Sequence, residues 1–279
     1  MVIDFHTHIF PDEIRNNREK YFFSEQSFEL LYRSSNSKMT GVDEIIESMD
    51  KTGVDMSVVF GFPWNSTETY EKHNDYIIDS VSKYPDRLRG FCCFDMFNEN
   101  ASNEVERCIE KGISGVGELA VYRSGIDDEA LKKLEPVMGI CFKNDLPIMI
   151  HTNESLGHNY AGKTPVTLDQ IYKLIKSFPE NKIVLAHWGG GIFFYNLLKR
   201  EMKNTLKNTY FDTAASPFLY DSNVYRFAMD IVGREKILFG TDYPLLNPDR
   251  YFKEFESIGL EENDLEYICG KNAAVLLKI

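Results

Sequence analysis

The sequence predicts a (β/α)8 (TIM) barrel in a single domain spanning residues 1–279. Three observations lead there. Eight short apolar, β-branched runs recur along the chain, amphipathic helical patterns fill the gaps between them, and four of the six histidines stand at the C-terminal ends of those runs. At 279 residues, 43% of them hydrophobic, the chain is long enough to bury one large core.

The strand candidates are residues 2–5, 56–60, 88–94, 115–119, 147–150, 182–186, 209–212 and 236–240. Their centres (VVF, IMI, IVLA, ILF) are apolar on both faces, which suits parallel strands covered on both sides. Between strands one and two, residues 42–51 place Val42, Ile45, Ile46 and Met49 on one helical face, and Gly53 follows as a stop. Tyr76, Ile77, Ser80, Val81 and Tyr84 repeat the pattern before Pro85, and residues 131–142 do so before Asn144 and Pro147. Residues 168–175 and 224–232 are shorter versions. An open dinucleotide-binding sheet would need a glycine-rich phosphate loop after the first strand, and His6-Thr7-His8 stands in that place. The irregular stretch 9–39 carries Phe10, Tyr21, Phe22, Phe23, Phe28 and Tyr32, and reads as a lid, an oligomer contact or a locally packed excursion.

A net charge of −12 argues against broad binding to nucleic acid or anionic membrane. No stretch approaches the ~18 apolar residues of a membrane span, and the start lacks the basic and apolar regions of a leader. The five cysteines show no framework spacing, so a reducing, cytoplasmic compartment is expected. The partners expected are a small-molecule substrate and a second copy of the chain in a homodimer, with no nucleic acid and no membrane.

In such a barrel, chemistry sits at the C-terminal strand ends. His6 and His8, two apart on a strand, share one face. Strand four ends in Glu118, strands five and six are followed at once by His151 and His187, strand seven ends in Asp212-Thr213, and strand eight ends in Asp242-Tyr243-Pro244. Imidazoles and carboxylates without thiolate suit Zn²⁺, with Mn²⁺ and Fe²⁺ as competitors.

The motifs DFHTH (4–8), IHT (150–152), AHWGGG (186–191), FDTA (211–214) and FGTDYP (239–244), with the closing segment 270–277, resemble the amidohydrolase superfamily. The closest resemblance is to its amidohydrolase-related (amidohydrolase 2) family, which includes aminocarboxymuconate semialdehyde decarboxylase. That resemblance implies a metal-dependent TIM barrel in which His6, His8, His151 and Asp242 bind a divalent ion, most readily zinc. It also implies that Asp242 shuttles a proton and that His187 lies beside the ion and polarises the substrate. One ion is expected. Binuclear members often carry a modified lysine on strand four, where this chain has Glu118. Glu118 could bridge two ions, bind one, or orient a ligating histidine; with a second ion, His187 would be a ligand.

Other positions carry weaker signals. Arg123 could hold a substrate carboxylate or stand as a solvated surface residue. Trp64 could wall the pocket or simply pack. His158 could reach substrate or lie on the surface, and His73, in a charged helical start, reads as solvated. Glycines 189–191 open a helix, where amides could hold an anion or the turn could simply demand glycine. The leading expectation is a metal-dependent hydrolase acting on an amide or lactone through activated water. The alternative is a non-oxidative decarboxylase of an unsaturated or aromatic carboxylic acid, and a third reading is a catalytically silent binding module.

Overall fold

In the computed structural model, which describes all of residues 1–279, eight parallel strands run in chain order around one sheet. They are β1 (Ile3–His8), β2 (Met56–Phe60), β3 (Leu88–Cys92), β4 (Gly115–Leu119), β5 (Ile148–Ile150), β6 (Ile183–Leu185), β7 (Thr209–Asp212) and β8 (Ile237–Leu238). The seam between first and last strands is tied by backbone bonds. Phe5 N–H donates to Phe239 O at 2.8 Å, Asp242 N–H to His6 O at 2.9 Å and His8 N–H to Tyr243 O at 2.8 Å. β8 is only two residues long, so the segment after it closes the barrel while already carrying site residues.

The period of two along each strand sorts apolar side chains into two cores. Val58, Phe60, Met149, Val184 and Leu238 point into the barrel with Ile3, Phe5 and Phe91, where the C-terminal helix Asn272–Leu277 packs against them. The alternating residues Val59, Ile148, Ile150, Ile183, Leu185 and Ile237 face outward to the helix layer.

The helices begin where short polar side chains can accept the first free amides. Asp127 caps Asp128–Lys143 by accepting from Ala130 N–H at 2.9 Å, and Thr167 and Gln170 form a reciprocal box at the start of Leu168–Ser177. Helix Val42–Thr52 stops at Gly53, whose φ of 74° is the left-handed conformation that the sequence pattern requires there.

The 9–39 stretch is a packed excursion. It folds into Asp12–Asn16, Glu19–Phe22 and Gln26–Tyr32. Phe28 is fully buried against Trp64, with ring centroids 4.5 Å apart, and against Phe62 and Tyr32. Buried Glu25 pins it to the loop after β2 by accepting from the backbone amides of Asn65 and Ser66, each at 3.0 Å. No helix is long and apolar enough to cross a membrane.

Candidate metal centre

His6, His8, Glu118, His151, His187 and Asp242 converge at the C-terminal mouth of the barrel. β1 extends through His8, past the predicted residue 5, and its register shifts between Asp4 and Thr7, so that His6 and His8 reach the mouth although Ile3 and Phe5 already face inward. Their ring centroids are 5.3 Å apart, and Phe60 packs against both, at 5.2 and 4.7 Å.

Each histidine has one ring nitrogen committed to an acceptor outside the cluster. His6 Nδ1 donates to Asp212 Oδ2 at 2.8 Å, and His8 Nδ1 donates to Gly61 O at 3.1 Å. His187 Nδ1 donates to Ala214 O at 3.0 Å, whereas His151 meets an acceptor at both ring nitrogens, Gly162 O at Nε2 and Glu118 Oε1 at Nδ1, each at 3.0 Å. Carbonyls and an ionised carboxylate can only accept, so the Nδ1 atoms of His6, His8 and His187 carry protons. The Nε2 of each of these three rings therefore turns a lone pair inward, the arrangement by which outer partners fix ligand tautomers around a metal.

Those three lone pairs and His151 Nδ1 all face carboxylates, which are acceptors. Glu118 Oε2 lies 3.7 Å from His6 Nε2 and 3.8 Å from His8 Nε2, while Oε1 lies 3.0 Å from His151 Nδ1 and 3.5 Å from His187 Nε2. Asp242 Oδ1 is 3.7 Å from His6 Nε2 and 3.4 Å from His8 Nε2. His6 Nε2 is buried with no hydrogen-bond partner at all. A proton on it could not bond either carboxylate at 3.7 Å, whereas a cation between them reaches all three. Ligand atoms about 2.1 Å from one ion lie roughly 3.0–3.4 Å from each other, close to the spacings here. The residues fit a divalent metal.

The electrostatics agree. Burial depresses the His6 imidazole, but the surrounding carboxylates of Glu118, Asp212 and Asp242 overcome it and push it up to about 10. His187 is likewise depressed by burial and pushed up to about 9, chiefly by Glu118. Burial works to raise Glu118, yet His6 and His151 hold it well below the usual carboxylate range. The pocket thus demands positive charge, which a divalent ion supplies without protons.

Asp212 carries a task that the sequence reading did not assign. Fully buried, it turns Oδ2 to His6 and uses Oδ1 to accept from His187 N–H at 2.8 Å and Ala214 N–H at 3.0 Å. It therefore fixes ligands on two strands, and its position at a strand end was the available signal. Tyr122 was also unassigned. Its ring lies 28° from parallel to His151 at 6.1 Å, and it also stacks on Phe62 at 6.4 Å. Tyr32 reaches the same space: burial, then Asp242 and Glu118, raise its phenol.

Three sequence candidates lie apart from the cluster. Trp64 is fully buried and donates from Nε1 to His73 Nδ1 at 2.8 Å, so it belongs to the packed excursion. Arg123 is exposed and takes no part in the cluster's ion pairs. His158 is exposed and contacts Tyr160, with ring centroids 5.7 Å apart. His73, expected in solvent, is 1% exposed, because the aromatic excursion covers its helix. The glycines after His187 serve the turn. Gly190 has φ +60°, and a Cβ there would sit 2.3 Å from Asn153 O.

The family model described as Amidohydrolase (Amidohydro_2) matches residues 3–279. The chain belongs to the amidohydrolase family. This family member is 24% identical to a 2-amino-3-carboxymuconate-6-semialdehyde decarboxylase of Dictyostelium discoideum, over 99% of this chain and 91% of that protein. It is 27% identical to a gamma-resorcylate decarboxylase of Polaromonas sp., over 77% of each chain. Its fold resembles a dihydroxybenzoic acid decarboxylase of Polaromonas sp. JS666 solved with bound manganese and 2-nitroresorcinol. The TM-score there is 0.73 at 22% identity, over 99% of this chain and 96% of that one. These matches correct the expectation of an amide or lactone hydrolase: the curated relatives are decarboxylases, and one fold hosts many reactions.

Proposed function

We propose that this protein is a metal-dependent, non-oxidative decarboxylase of a small aromatic or unsaturated carboxylic acid. The observation that carries this reading is the match to a decarboxylase along nearly the whole chain, in a protein whose strand ends form an acceptor-lined cage. His6, His8, His151 and Asp242 would hold the ion. Manganese is favoured over zinc, because carboxylates as well as imidazoles line the cage and the similar Polaromonas enzyme holds manganese.

When bound there, a divalent ion would supply positive charge to offset the negative charge that develops as carbon dioxide departs. Asp242, kept ionised against the effect of burial by His8, His6 and His187, takes a proton from the substrate's acid or hydroxyl group as it docks. That proton then goes to the carbon that has lost its carboxylate. The bond between ring carbon and carboxyl carbon breaks, its electron pair stays on the ring carbon, and the proton closes the balance. Tyr122, stacked between His151 and Phe62, adds an aromatic side chain to the wall beside His151.

The test is carbon dioxide release by manganese-loaded protein offered 2,6-dihydroxybenzoate, 5-carboxyvanillate and 2-amino-3-carboxymuconate 6-semialdehyde. Turnover of one of these, dependent on metal, supports the reading. Hydrolysis of amides or lactones with no carbon dioxide from any acid would overturn it.

A further inference from the structure

The excursion after β1 brings Tyr32 to the mouth of the barrel, and two anchors fix it there. Buried Glu25 ties the excursion to the loop after β2 through the amides of Asn65 and Ser66. Arg18 clamps the end of helix Gln26–Tyr32, where its Nη1 donates to the carbonyls of Tyr32, Ser34 and Ser37 at 3.4, 3.2 and 3.0 Å. The Tyr32 ring packs on Phe28 at 4.8 Å and edge-on to Phe62 at 6.1 Å. Phe62 stacks on Tyr122, which stacks on His151. A continuous row of rings thus runs from the excursion to the metal cage.

Stacked between His151 and Phe62, Tyr122 has its edge and its phenol left to offer a ligand. Neither its hydroxyl nor that of Tyr32 has a hydrogen-bond partner in the protein, and both residues are only partly buried. Both phenols stand close to Glu118 and Asp242, whose charges add to burial in keeping the protons on. Tyr32 also bears on Tyr122, so the two hydroxyls are neighbours. An O–H group held in place in advance gains a partner when a ligand arrives without a further cost of ordering.

The cations nearby are already engaged. Arg18 commits its Nη1 to three carbonyls. Lys163, in the loop after β5, pairs with Glu154 at 3.3 Å and donates to Leu156 O and His158 O. Arg123 is exposed. A second substrate carboxylate against the phenols would therefore lose its water beside Glu118 and Asp242 with no countercharge. A hydroxyl, which donates and accepts as the phenols do, incurs no such penalty.

We propose that Tyr32 and Tyr122 are specificity-determining residues whose hydroxyls bind an uncharged oxygen substituent of the substrate, selecting an acid with a ring hydroxyl over one with a second carboxylate at that place. The inference rests on the decarboxylase reading above. It gives the 9–39 excursion a role, which is to carry Tyr32.

The experiment is calorimetric binding of benzoate, 2,6-dihydroxybenzoate and isophthalate to the full-length, manganese-loaded protein. The dihydroxy acid should bind more tightly than benzoate, and isophthalate more weakly. Tyr32→Phe and Tyr122→Phe should each weaken 2,6-dihydroxybenzoate about 3–10-fold, as the loss of one hydrogen bond does, and leave benzoate unchanged. Benzoate on the same sample controls for folding and metal content. Equal losses for the two acids, or no loss for 2,6-dihydroxybenzoate in either variant, would overturn the inference. Isophthalate binding more tightly than benzoate would overturn it in the unaltered protein, without any variant. Failure of the unaltered protein to bind all three would overturn it too. Carbon dioxide release from an acid, measured separately, tells whether the decarboxylase reading falls with it.

Discussion

Asp212 accepts the Nδ1 proton of His6 at 2.8 Å across 206 residues of sequence, and so aims the other nitrogen of His6 at the cage. The same carboxylate accepts the His187 and Ala214 backbone amides through its second oxygen. Asp212→Asn leaves one oxygen for donors on both sides and turns an amide N–H toward one of them. Metal affinity should fall about 10–100-fold, and stability by about 1–3 kcal/mol. Titration calorimetry and urea denaturation read the two effects. Unaltered metal affinity would remove Asp212 from the centre.

Asp242 sits at φ +61°, a conformation uncommon for aspartate, with its side chain against the β1 histidines. Its backbone N–H donates to His6 O, a bond that survives Asp242→Asn. That variant should fold normally and lose about 10²–10⁴-fold in turnover, as expected for removal of a proton carrier. Steady-state carbon dioxide release checks it. Near-normal rates would rule out the shuttle.

His73 sets an acid limit on stability. Its Nε2 donates to Ile9 O at 2.7 Å, its Nδ1 accepts from Trp64, and burial pushes it down to about 4. The unfolded chain, with an ordinary histidine near 6.5, binds this proton where the folded chain does not. The contribution of His73 is therefore complete above pH 6.5 and is lost as pH falls toward 4, by about 3 kcal/mol in all. The gap in urea midpoint between the native protein and His73→Gln should narrow across that window. A gap that stays constant from pH 7 to 4 would contradict the assignment.

Much of the barrel was legible in the sequence because strand periodicity is local. His6 and His8 share a face for the same reason that Val58 and Phe60 do, and Glu118, His151, His187 and Asp242 could be read in order as strand ends. The parts that were not legible depend on distant segments. His73 passes from solvent to core, and Trp64 takes the packing alternative rather than the pocket wall, because aromatic residues between 9 and 39 fold over them. Arg123 could be placed by strand order but not by direction, since the loop after β4 turns it outward. Asp212 gave its position but not its task, because its partner is on the first strand. Hydrolysis and decarboxylation could not be separated by ligand residues, since both use a cation to stabilise negative charge.

The cage of lone pairs around Glu118 makes the most exposed claim, which is that this protein is built around a divalent metal. Elemental analysis of the purified native protein, alongside His6→Ala, tests it most directly. At least one divalent ion per chain in the native protein, lost in His6→Ala, is the predicted result. A native protein that stays free of metal after reconstitution with manganese and with zinc would contradict it.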